Sequence, residues 1–121
     1  MRQLYLNKWS AKIDADHSKY IFADRVKPGF VLHVHNCFAH APERAANEII
    51  RLGVRNGAFD VLIRVRAAGI AAEGMSARRD FFVGEGDQVF AYFPSAEADD
   101  TLELHIVGCL VDLSSWREGI D

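Results

Sequence analysis

Ile50-Arg51-Leu52-Gly53-Val54-Arg55-Asn56-Gly57-Ala58-Phe59-Asp60-Val61-Leu62-Ile63-Arg64-Val65 is the stretch that decides the fold. Ile50, Leu52 and Val54 alternate with Arg51, Gly53 and Arg55. Beyond Asn56-Gly57, Phe59, Val61, Ile63 and Val65 alternate with Asp60, Leu62, Arg64 and Arg66. Successive side chains of a strand point to opposite faces, so a period of two marks a strand with one face toward a core. Asn-Gly between two such runs signals a tight hairpin, because both residues tolerate φ > 0. The expectation is an antiparallel hairpin with Phe59, Val61 and Ile63 buried and Arg64 and Arg66 outward.

The same period recurs on both sides. Upstream, Phe30, Leu32, Val34, Asn36 and Phe38 form one parity, taken as the core face, against Val31, His33, His35, Cys37 and Ala39. Downstream, Arg79 to Val83 reads as a strand, Gly84-Glu85-Gly86-Asp87 as a turn, and Val89, Ala91 and Phe93 as the inward parity of the next strand. After the polar stretch Pro94 to Asp100, Leu102, Leu104, Ile106 and Gly108 alternate with Thr101, Glu103, His105 and Val107. Leu4–Lys8 and Lys19–Asp24 complete the set, and Ala41–Glu48 reads as a loop with room for one helical turn. Strands recurring at this spacing with turns between them predict an all-β, antiparallel, jelly-roll-like β-sandwich of about eight strands, with little or no helix. The 121 residues fit a single domain over 1–121, long enough to bury about two-thirds of the unfolded surface.

Composition excludes several classes of function. Half the residues are hydrophobic and 26% are charged, as in an ordinary globular domain. The net charge of −3 argues against nonspecific nucleic-acid binding. No apolar run is long enough to cross a bilayer, and Met1–Ser10 has no signal-peptide core, so cytoplasmic synthesis without export is expected. Cys37 and Cys109 lack metal-ligand spacing and are read as core or interface residues. No serine has a nucleophile-elbow context, and no enzymatic activity or cofactor is expected.

Three constellations invite a chemical reading. His33 and His35, two apart on a strand, share a face with Cys37; they could bind Zn²⁺ or Fe²⁺, with His40 or His105 as a third ligand. The spacing partly resembles the cupin metal motif, but Gly29 and Glu43 fall at the wrong distances and the second motif is missing near Gly86-Asp87. Half-exposed polar residues on a sheet face account for the pair, and no metal is assigned. Arg51, Arg55, Arg64 and Arg66 form an outward cluster that would suit an anionic partner, or a solvated face paired with Asp60 and Glu48. Glu97 to Asp100 reads as a solvated loop.

Exposed bulk is more informative. Leu62, Phe90, Tyr92, Val107 and Val111 lie on the parity opposite the core, where a two-layer sandwich should be polar. The ends carry Leu4, Tyr5, Leu6 and Trp9, and Leu113, Trp116 and Ile120. Leu4, Tyr5, Trp9, Leu62, Phe90, Tyr92 and Trp116 are therefore the interface candidates, with residues 1–10 and 112–121 as candidate arms.

The stretches Pro28–Leu32, Ile49–Val54, Ala58–Ile63, Phe82–Ala91 and Asp100–Gly108 together resemble small tailed-phage virion proteins. In those, a Pro-x-Gly strand, a hairpin, a Gly-Asp-x-Val-x-Ala strand and an Asp-x-Leu-x-Leu strand follow one another. The resemblance spans 28–111. It implies a non-catalytic virion protein, a capsid decoration (cement) or tail-associated subunit that binds copies of itself and a larger capsid or tail protein. Two other readings stand beside it: a cupin-like metal-binding protein or enzyme using His33 and His35, and a carbohydrate-binding sandwich with Trp9, Tyr92 or Trp116 as stacking platform.

Overall fold

A computed structural model describes residues 2–13, 18–41, 49–57, 59–66, 75–77, 80–94 and 96–114; of 63–66, 75 and 77 it describes the backbone alone. Among these residues the chain forms β1 (Arg2–Lys12), β2 (Lys19–Phe22), β3 (Phe30–His40), β4 (Ile50–Asn56), β5 (Phe59–Arg66), β6 (Met75–Ala77), β7 (Phe81–Val83), β8 (Gln88–Phe93) and β9 (Thr101–Asp112). The strand added to the expected eight is the three-residue β6. One sheet has the order β1-β9-β3, with β6 and β7 sharing the far edge of β3; the other runs β2-β8-β4-β5. All pairings are antiparallel, and the two sheets face each other as a β-sandwich. The core between them is built from the alternating positions, among them Leu32, Leu52, Phe93, Leu102, Leu104 and Ile106.

The hairpin forms, one residue later than its Asn-Gly centre. Asn56 itself pairs, with Phe59, and so belongs to the strand and not to the loop. Gly57 opens it at φ +57°, a conformation that costs glycine little. Two departures follow along β5. Phe59 and Val61, expected in the core, are 76% and 54% exposed. Among the described residues β5 is the edge of its sheet, and at the hairpin end its side chains reach solvent. The register then shifts between Leu52 and Gly53, pairing Arg64 with Leu52 and Arg66 with Ile50. By register these two arginines are not opposite the Arg51 and Arg55 positions, and their side chains, with that of Ile63, lie outside the described residues.

A second irregularity sits in β3. Val34 pairs with Gly108 but Asn36 with Val107, leaving His35 as the extra residue of a β-bulge. One inserted residue exchanges the two faces of everything beyond it. Leu32 and Val34 point inward as expected, but beyond the bulge Cys37 and Ala39 are the buried pair. Asn36 and Phe38, expected in the core, turn outward, and Cys37 leaves the histidine face. Gly108 permits the bulge: a Cβ there would collide with the His33 carbonyl oxygen and press on the Val34 Cα.

The first candidate arm also resolves into the fold. Residues 2–12 pair along their whole length with β9 of the same chain, as an edge strand rather than a free extension. The second, 112–121, is described only as far as Ser114, whose N–H donates to Asp112 Oδ1 at 2.8 Å.

Candidate functional site

Apolar side chains reach solvent on the outward face of the five-stranded sheet. Leu6 stands opposite Val107, and Leu4 opposite Cys109. Leu4 is 70% exposed and Leu6 61%, with Val107 and Phe82 also open. Tyr5 and Trp9, on the other parity of β1, turn inward and pack against the core. Their rings stack with centroids 6.4 Å apart, and Trp9 Nε1 donates to Asp24 Oδ1 at 3.3 Å. Of the N-terminal interface candidates, Leu4 is therefore the one left as a free contact.

The same face carries four histidines in two groups. His33 Nε2 lies 3.3 Å from one Asp80 oxygen and His35 Nδ1 3.6 Å from the other, while the His33 ring stacks on Phe82. His40 and His105 do not join that pair. Both place Nε2 on Glu103 Oε1, at 2.8 and 3.1 Å. The four histidines thus fall into two separate histidine–carboxylate clusters, and Cys37, buried in the core, belongs to neither.

The outward face of the four-stranded sheet is aromatic. Tyr20 stacks on Phe22 (5.3 Å) and on Tyr92 (4.3 Å), and meets Phe90 edge-on. Phe90, an interface candidate, is only 1% exposed. Its ring lies over Gly53, where a Cβ would touch Phe90 Cζ, and Tyr20 and Phe22 close over it. Arg55 spans the Tyr20 and Phe22 rings at 4.8 and 4.6 Å and grips Asp60 through two hydrogen bonds of 2.7 and 3.1 Å. Arg51 lies over Tyr92. The ring faces on which a sugar would stack are thus occupied by one another and by arginines. Leu62 is half exposed beside this cluster, and Trp116 lies outside the described residues.

These contacts set the acid–base behaviour of the surface. The Arg55 hydrogen bonds hold the Asp60 carboxyl below its ordinary range, against the opposing effect of burial. Burial raises Tyr20, reinforced by its hydrogen bond to Asp60. Glu103 is lowered first by the bond from His40 and, after the contrary pull of burial, by that from His105. A carboxyl depressed in the folded state adds stability that is fully present above its unfolded value, roughly pH 4, and is lost as pH falls through the lower folded value. We expect the urea midpoint to drop on acidification through that window. Asp60→Asn should make the drop shallower, and an unchanged acid limb would count against the Arg55–Asp60 contact.

No family model matches the chain. No curated protein matches it either. Among solved structures, the Drosophila NLP core, described for its pentamer formation and histone binding, is 16% identical over 88% of this chain and 99% of its own, with a TM-score of 0.44. The nucleoplasmin-like N-terminal domain of Drosophila FKBP39 is 11% identical over 93% and 91%, with a TM-score of 0.45. A family 35 carbohydrate-binding module from Clostridium thermocellum is 14% identical over 85% and 90%, with a TM-score of 0.39. At these values none of the three carries a functional assignment to this chain.

Sequence reasoning missed Tyr20 and Phe22, although they share a parity and pair with Tyr92 and Phe90 across β2 and β8. It also missed Glu103 and Asp80 as the histidines' partners. The acidic stretch it treated as a loop is a closed turn, with Glu97 N–H donating to Asp100 Oδ2 at 2.9 Å.

Proposed function

We propose that this chain is a non-catalytic structural subunit that works by binding copies of itself and a larger protein surface. The observation that carries the proposal is the outward apolar group of Leu4, Leu6 and Val107, set on a long edge strand of its own sheet. Soluble chains seldom leave such side chains together in water, and each is worth roughly 1.5–3 kcal/mol when fully covered. Among the described residues β1 is also the edge strand of its sheet, a template for main-chain pairing with a neighbour. The likeness of 28–111 to tailed-phage virion proteins supports a place in a phage particle, as a capsid decoration or tail-associated subunit.

The test is the mass of the full chain in solution, alone and with phage shells or tails lacking it. We expect a homo-oligomer that the double substitution Leu4→Asp, Leu6→Asp reduces to monomer, with far-ultraviolet dichroism unchanged. A wild type that stays monomeric at high concentration and ignores viral surfaces would sink the proposal, as would an oligomer indifferent to both substitutions. Binding to shells or tails, or its absence while self-association persists, decides the viral setting separately.

A further inference from the structure

We infer that His40, Glu103 and His105 form a binding site for a divalent d-block cation, Zn²⁺ foremost. The three residues come from the paired strands β3 and β9, where His40 stands directly opposite Glu103, and His105 follows Glu103 on the same face. Nε2 of both imidazoles converges on the single oxygen Oε1, at 2.8 and 3.1 Å, and the three donor atoms lie within 4.8 Å of one another. Metal–ligand bonds of about 2.0–2.2 Å set the donors of a tetrahedral zinc roughly 3.3 Å apart. The two imidazole–carboxylate distances therefore need to open by only a few tenths of an ångström to reach that spacing, and the two imidazole nitrogens, within 4.8 Å of each other, to settle at the same separation.

The donor set suits the cation. Two imidazoles and one carboxylate are the three protein ligands of open zinc and iron sites, in which water fills the remaining positions. Phe38 packs against the His40 and His105 rings, at 4.8 and 5.8 Å, and fixes their orientation as an apolar wall. All three ligands are partly buried, with side-chain exposures of 17%, 18% and 36%, so the solvent side remains free for entry and for water ligands. Without metal, the ionised Glu103 can only accept, so each imidazole carries its proton on Nε2. Coordination moves that proton to Nδ1 through solvent and leaves the Nε2 lone pair for the ion. The other cluster is less convergent: its histidines address different oxygens of Asp80, whose side chain is 60% exposed.

The experiment titrates the purified, chelator-treated full chain with Zn²⁺ by calorimetry and with Co²⁺ by its visible absorption. The expected result is saturable binding whose affinity falls at least about tenfold in His105→Ala and in Glu103→Gln, while His33→Ala leaves that loss unmade. Glu103→Gln keeps the shape of the side chain, and the urea midpoint of each variant separates lost binding from lost fold. The inference is overturned if the wild type binds neither ion at micromolar concentration. It is equally overturned if His105→Ala and Glu103→Gln, folded, bind as the wild type does, or if His33→Ala alone abolishes binding.

Discussion

Gly108→Ala is expected to destabilise the fold by about 3 kcal/mol or more, although it adds a single methyl group. The methyl would meet the His33 carbonyl oxygen and the Val34 Cα, which are backbone and have no rotamer into which to retreat. Relief requires β3 and β9 to part where the bulge draws them together, and these strands form the middle of their sheet. Urea unfolding of the wild type and variant measures the difference directly. A loss under about 0.5 kcal/mol, the range of ordinary surface substitutions, would mean that the two backbones do not approach as described.

Phe90→Ala is the second large effect, about 3–5 kcal/mol, in the range for deleting a fully buried phenyl ring. Simple alternation would forecast almost nothing, because Phe90 is on the outward parity of β8. The structure instead buries it over the bare backbone of Gly53 and beneath Tyr20 and Phe22, an arrangement in which an aromatic ring covers a glycine across the strand pair. Val107→Ala, 43% exposed on an outward face, serves as the contrast and should stay within about 0.5 kcal/mol in the monomer. Equal losses at the two positions would show that the aromatic layer does not close over Phe90.

These two positions also show what the sequence could and could not disclose. Eight strands, their antiparallel sense and the turn at Gly84–Asp87 were legible, because strand period and turn chemistry are local. The bulge at His35 was not, because Cys37, Phe38 and Ala39 are all apolar and either parity reads as a core beyond Val34. Asn36 in the supposed core parity was the one discordant residue. The burial of Phe90 depends on β2 lying beside β8, a matter of strand order that alternation cannot express. Similarly, His40 and Glu103 are 63 residues apart, and nothing near either announces the other. The exposure of Phe59 and Val61 reflects where the opposing layer ends, which is a property of the assembled sandwich.

The strand order also bears on the time at which this chain can fold. β9, the last of the described strands, lies between β1 and β3 and, among the described residues, is the one strand that pairs with β1. During synthesis, Arg2–Lys12 must therefore wait for Thr101–Asp112 to leave the ribosome before it can pair, and until then β3 has only the short β6 and β7 beside it. At roughly 5–20 residues per second that interval lasts about 5–20 seconds, with Leu4, Leu6 and the inward rings of Tyr5 and Trp9 open to other nascent chains. Once complete, a chain whose main pairings span such separations should fold in milliseconds to seconds rather than microseconds.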